Sequence, residues 1–238
     1  MGLRMVMGVV GDVFAGARFL VPMITFWDIF KKKEVGQRSV IPYGLTWCNC
    51  VAWILYSLPM SSWLVAGVNL GGLLIVPVYF FIYFYYSAGQ ARSTSWWVLA
   101  YQVFWDLLLV IVHFTLFNGQ DHEREVTFGF LGALTASAMY LSAFIDMYTV
   151  FWTEDVKNMS LLFVLVSLCN SVAWTVYASV NNDSVNTDVY ILVPNSIGIV
   201  VTVIQVVVWV FINYKAKRAA EAPHAEAPPA EDIELPVV

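Results

Sequence analysis

The chain has 238 residues, 60% of them apolar and only 12% charged, against roughly 25% charged in an average soluble domain. That balance excludes an ordinary soluble domain and points to a membrane protein. The net charge of -5 says nothing about a basic partner: the last 20 residues hold Glu221, Glu226, Glu231, Asp232 and Glu234 with no Lys or Arg, and the other twelve acids and twelve bases cancel. With no basic face, a nucleic-acid partner is excluded as well.

A helix needs about 20 mostly apolar residues to cross about 30 Å of hydrocarbon, and polar punctuation cuts the chain into seven such blocks. The first, 5–30, is too long and too weakly flanked by bases to be a cleaved signal peptide, and carries Arg18 near its middle and Pro22 one turn on. An arginine at that depth costs about 2.5 to 3.5 kcal/mol unless paired or hydrated. Asp106, at matching depth in the fourth block, is the expected partner, with Asp12 or cavity water as alternatives. The second block, 42–58, contains CNCVAWILYS from Cys48 to Ser57, and the third, 63–86, contains Val68-Asn69-Leu70-Gly71. The fourth, 96–117, holds His113, and the fifth, 126–151, holds Asp146. The sixth, 161–180, returns the earlier phrase as CNSVAWTVYA from Cys169 to Ala178, with six of ten residues identical at a separation of 121. The seventh, 188–214, contains Pro194-Asn195-Ser196-Ile197-Gly198, an echo of the third. An Ala/Pro/Glu tail over 215–238 is expected to be disordered and cytosolic.

The basic residues orient the chain. With the N-terminus outside, nine Lys and Arg fall on inner segments against Arg4 and Arg124 outside, a clear positive-inside bias. Cys48, Cys50 and Cys169 lie within spans and form neither a disulfide framework nor a CxxC zinc site, so they read as packing residues, and no metal or cofactor is expected. Sequons begin at Asn182, close to the outer bilayer face, and at Asn158 on the cytosolic side.

Seven spans in which the second and sixth correspond divide as three, one, three. One connector span returns the chain to its starting side, so both triplets enter the membrane in the same direction. The expected fold is therefore an all-α membrane protein with two parallel three-helix bundles (1–86 and 126–214) joined by a linker helix (87–125). Parallel repeats of this kind place a transporter's substrate site between the two halves at mid-depth.

Residues i, i+4 and i+7 of a helix share a face. Asn49, Trp53 and Tyr56 therefore form one stripe, and Asn170, Trp174 and Tyr177 its twin. Together with Asn69 and Asn195 they would line a cavity with amide, indole and phenol groups. An amide offers donor and acceptor in one plane for paired hydroxyls, and an indole covers the apolar face of a sugar ring. A lone Asn or Trp in a membrane helix serves helix packing or an interfacial belt; the duplicated stripe favours a ligand.

These residues resemble a known family. Pro22-Met23-Ile24-Thr25-Phe26, the Lys31-Lys32-Lys33 loop leading to Ile41-Pro42-Tyr43, the paired Trp53/Tyr56 and Trp174/Tyr177, and Val193-Pro194-Asn195 are together similar to the SWEET (MtN3/saliva) sugar transporters. The resemblance implies that Asn69 and Asn195 bind sugar with Trp53 and Trp174 beside them, and that Tyr56, Tyr177 and Asp188 form an outer gate. By the same analogy Arg18, Asn49, Met139 and Asn170 set pocket size, three of the four matching hexose rather than sucrose carriers. Pro22 and Pro42 match family hinges, whereas Ala143 and Ser160 stand where the family has two more prolines, which implies a stiffer second triplet. The implied activity is bidirectional facilitative transport of a small neutral sugar, most simply a hexose such as glucose, by alternating access in the plasma membrane or an internal one. The outer surface of the bundles leaves room for a homo-oligomer.

Two other readings stand beside it. Arg18 and Asp146, with His113, could serve proton-coupled transport of another polar or anionic solute. A seven-helix receptor is the reading of another class, but the last span has no Schiff-base lysine and the receptor motifs Asp-Arg-Tyr and Asn-Pro-x-x-Tyr are absent. No catalytic motif of an enzyme occurs at a plausible spacing.

Overall fold

The computed structural model describes residues 2–36, 38–154, 156, 159–180 and 187–221, the side chains of Asp146, Ala219 and Ala220 excepted. All its regular elements are helical: α1 (Leu3–Leu20), α2 (Met23–Lys32), α3 (Ile41–Met60), α4 (Trp63–Tyr86), α5 (Gly89–Ile111), α6 (Asp121–Thr153), α7 (Leu161–Ser179) and α8 (Val189–Glu221). One π-helical turn, Val112–Leu116, ends α5. Both sequons, at Asn158 and Asn182, and residues 222–238 of the acidic tail lie outside the described residues. The tail begins later than 215, because α8 continues as helix to Glu221.

The first expected span is two helices. Pro22 has no N–H for the preceding turn and its ring crowds the carbonyl one turn back, so α1 stops at Leu20 and α2 starts at Met23. Beside the break the Phe19 carbonyl accepts from the Tyr79 hydroxyl at 2.9 Å. Pro42 has a different role, in the first turn of α3, where a proline is accommodated without a bend.

Six helical segments, with Leu3–Lys32 taken as one, are long and apolar enough to cross a membrane. α3, the seventh span, falls short of these six in hydropathy, since it carries Thr46, Asn49, Ser57 and several Trp and Tyr. It tolerates them because protein rather than lipid surrounds it: eight of its 20 residues are buried, and it packs on α4, α5 and α6.

The packing is duplicated. α4 lies against α1 and α3, and α8 lies against α6 and α7. Across the interface α3 packs on α6 and α1 on α7, two contacts that exchange under the repeat. The linker α5 docks on α3, where Cys48 Sγ donates to Gln102 Oε1 (3.0 Å) and Gln102 Nε2 donates to Asp106 Oδ1 (2.8 Å). Where α1/α2 is broken, its twin α6 runs unbroken through Ala143 to Thr153.

At the end opposite the N-terminus, Asp28 holds Arg38 (2.6 Å) and Lys32 (3.1 Å), and the Tyr83 hydroxyl donates to the Arg38 carbonyl (2.7 Å), which ties down the loop after α2. Glu154, in the acidic turn after α6, is paired with Lys215 of α8.

Candidate transport site

The aromatic stripes of both triplets point into the interface between bundles, and each rests on glycines of the opposite bundle. Trp174 lies so close to Gly11 that a Cβ there would sit 2.8 Å from the indole nitrogen, and Tyr177 comes within 3.0 Å of a Cβ on Gly8. In the other interface Trp53 stands 3.0 Å from a Cβ on Gly132 and Tyr56 2.8 Å from one on Gly129. Every one of these residues has its twin 121 positions away: Gly8 and Gly129, Gly11 and Gly132, Trp53 and Trp174, Tyr56 and Tyr177. Small residues let membrane helices approach closely, and here they make room for the rings. Within each stripe the rings meet edge to face, Trp53 with Tyr56 at 5.4 Å and Trp174 with Tyr177 at 5.1 Å.

The correspondence extends inside each bundle. Gly72 of α4 faces Phe19 and Cys50, and Gly198 of α8 faces Tyr140 and Ser171. The glycines of these last helices are 126 apart, as are Asn69 and Asn195, so the second repeat holds five extra residues before its last helix. Asn69 Nδ2 donates to the Val65 carbonyl and Asn195 Nδ2 to the Ile191 carbonyl, both at 2.8 Å. Each amide spends one N–H on its own helix, and the two form no hydrogen bond with one another among the described residues. Among the described residues neither the second N–H nor the carbonyl oxygen of either amide makes a hydrogen bond.

The stripes differ at their asparagines. Asn49 Nδ2 donates to the Gly132 carbonyl (3.1 Å) and to Thr135 Oγ1 (2.8 Å). The twin of Thr135 is Phe14, and on that side Asn170 Oδ1 is buried without a partner among the described residues.

At the N-terminal end two polar side-chain contacts between hydroxyl and carboxyl groups cross the interface among the described residues. Tyr56 OH donates to Asp188 Oδ2 at 2.9 Å, while Asp188 Oδ1 accepts from the Ile191 N–H (3.1 Å) and caps α8. Tyr177 OH stands 3.4 Å from Ser62 Oγ. A cavity of about 190 Å³ lies beside these contacts, lined by Arg4, Tyr56, Ser62, Tyr177 and Asp188 among others. The three expected gate residues are thus brought together at one end.

The family described as sugar efflux transporters for intercellular exchange (MtN3/saliva) matches residues 5–91 and 126–219, once for each bundle. The chain belongs to the SWEET family. Bidirectional sugar transporter SWEET4 of Oryza sativa subsp. indica is 34% identical over 233 residues, covering 93% of this chain and 87% of the relative. Bidirectional sugar transporter SWEET8 of Arabidopsis thaliana is 33% identical over 220 residues, covering 90% and 89%. The solved structure of a eukaryotic SWEET transporter has the same fold, with a TM-score of 0.78 at 24% identity, covering 89% of this chain and 97% of that one.

Against the SWEET resemblance, Arg18 is where the expectation needs correction. The Arg18–Asp106 bridge does not form: Asp106 is held by Gln102 on the linker side of α3, and Arg18 makes no ion pair among the described residues. Its guanidinium instead lies between two rings of the opposite bundle, 5.9 Å from Tyr140 and 5.8 Å from Phe163, with Nε buried and unpartnered. Nor does Asp12 pair with it among the described residues, where Asp12 Oδ1 is buried without a hydrogen bond. The twin of Arg18 is Met139, half-buried on α6, so two of the pocket-size positions are one position seen twice. His113 packs on Phe128 (5.1 Å) near the start of α6, and the Asp146 side chain lies outside the described set. The reading of the sequence missed the glycines Gly8, Gly11, Gly129 and Gly132, although comparing positions 121 apart throughout would have found them.

Proposed function

We propose that the protein is a bidirectional facilitative sugar transporter whose cargo is a hexose such as glucose, moved by alternating access between the two bundles. The observation that carries this reading is the reciprocal seating of Trp53/Tyr56 and Trp174/Tyr177 on the glycines of the opposite bundle. A symmetric pair of interfaces lets one end open as the other closes while the middle stays in place. The names of the relatives, bidirectional sugar transporters, agree with it.

In this reading Asn69 and Asn195 present free amide groups to sugar hydroxyls, and Trp53 and Trp174 cover the apolar ring faces. Asn49, Asn170, Met139 and Arg18 bound the pocket, while Tyr56, Tyr177 and Asp188 gate the N-terminal end. The Tyr56–Asp188 bond makes this conformation closed toward that end. Pro22, at the break between α1 and α2, serves as the hinge of the first bundle, whereas Pro42, in the first turn of α3, bends nothing. The basic residues favour an outside N-terminus and a cytosolic C-terminus, with the plasma membrane as the site of action.

Uptake of radiolabelled glucose, fructose and sucrose into proteoliposomes tests the assignment, with Asn195→Ala and Trp174→Ala as controls. Glucose should enter faster than sucrose, and both variants should lose uptake roughly tenfold or more. Faster sucrose entry removes the hexose assignment, and wild-type rates in both variants remove the site.

A further inference from the structure

The repeat that relates Tyr56 to Tyr177 also relates their partners. Asp188 lies 126 residues after Ser62, the same interval as between Asn69 and Asn195, and both residues precede the last helix of their triplet, although only Asp188 accepts a capping hydrogen bond from it. The Tyr177–Ser62 contact at 3.4 Å is therefore the image of the Tyr56–Asp188 bond at 2.9 Å. Each joins the second helix of one bundle to the start of the third helix of the other.

Arg4 strengthens the weaker side. Its guanidinium lies 4.6 Å from the centre of the Tyr177 ring and lines the same cavity as Ser62 and Asp188. Arg4 belongs to the first bundle and Tyr177 to the second, so this contact also crosses the interface. Meanwhile Arg4 Nη1 is buried with no hydrogen-bond partner among the described residues. Closing this end thus gains a cation–π contact but strands a guanidinium N–H away from water, and opposed terms of that kind keep a gate reversible.

We propose that Ser62 and Arg4 form a second latch with Tyr177, weaker than Tyr56–Asp188, so that the N-terminal end is closed by two unequal symmetry-related bridges. This rests on the gate reading above. Ser62 stands 3.4 Å from its tyrosine where its twin Asp188 bonds at 2.9 Å, so the second latch releases more easily, and the gate opens from the Tyr177 side.

Val65 lines the cavity behind the latch and is 3% exposed, which makes V65C a reporter of opening. The test measures the reaction of V65C with a polar maleimide in purified protein held in lipid nanodiscs, after subtracting the rate of the same protein without V65C. Adding S62A or R4M should speed labelling about fivefold, the population shift of one lost contact. Adding S62D, which copies the Asp188 side, should slow it, a gain that misfolding cannot imitate. If S62A, R4M and S62D all leave the rate unchanged while Y56F raises it, the latch is overturned and the gate reading stands. If Y56F also changes nothing, the gate reading falls and the latch with it.

Discussion

Trp174 packs against Gly11 so closely that its indole nitrogen stands 2.8 Å from the place a Cβ would occupy. Gly11→Ala should therefore push the bundles apart at the heart of the interface. Overpacking of this kind costs about 1 to 3 kcal/mol, and both glucose uptake and thermal stability should fall. Gly16, in the same helix, has nothing within 4 Å of its Cβ position, so Gly16→Ala should be neutral or slightly stabilising. Equal behaviour of the two variants would mean that the Trp174 contact is not a constraint on the interface.

Asp188 has two tasks and Tyr56 has one of them. Tyr56→Phe removes only the bond across the interface, whereas Asp188→Ala also removes the acceptor that caps α8 at the Ile191 N–H. Losing a cap costs about 0.5 to 2 kcal/mol. Tyr56→Phe should shift transport kinetics with little loss of melting temperature, and Asp188→Ala should lower both. Equal melting temperatures for the two variants would show that the cap contributes nothing.

Pro22 interrupts the first span, and Ala143, at the equivalent place in α6, does not. The second bundle is anchored there instead, since Gln205 Nε2 donates to the Ala143 carbonyl at 3.2 Å. Pro22→Ala should let α1 and α2 join, restoring a helical hydrogen bond and raising stability by up to about 3 kcal/mol, while uptake slows. An unchanged uptake rate with raised stability would separate the break from the transport cycle.

Arg18 sits at the position of Met139 in the other bundle. Arg18→Met removes a half-buried cation whose insertion costs about 2.5 to 3.5 kcal/mol and forfeits ring contacts worth about 0.5 to 2 kcal/mol. The expected outcome is unchanged or higher stability, glucose uptake retained, and a changed ratio of glucose to larger sugars. Complete loss of uptake in a folded Arg18→Met protein would make the guanidinium a required ligand of the sugar.

Much of this molecule is determined locally and so was legible in the sequence. The lengths of the apolar blocks set the spans, and an interval of 121 residues between copies of one phrase revealed the three-one-three plan. Helical periodicity alone put Asn49, Trp53 and Tyr56 on one face. What each face meets depends on the rotation and depth of helices distant in sequence, which no local pattern encodes. Depth matching therefore suggested Asp106 for Arg18, whereas in the packed bundles Asp106 bonds Gln102 of its own helix and Arg18 lies beside Tyr140 and Phe163. The glycines beneath the aromatic rings are of the same kind: a missing Cβ acquires meaning only when another helix arrives within van der Waals reach. The tertiary structure alone decided that the linker rides on the first bundle and that Tyr56 reaches Asp188 at 2.9 Å where Tyr177 stands 3.4 Å from Ser62, because both follow from contacts between helices and not from any one of them.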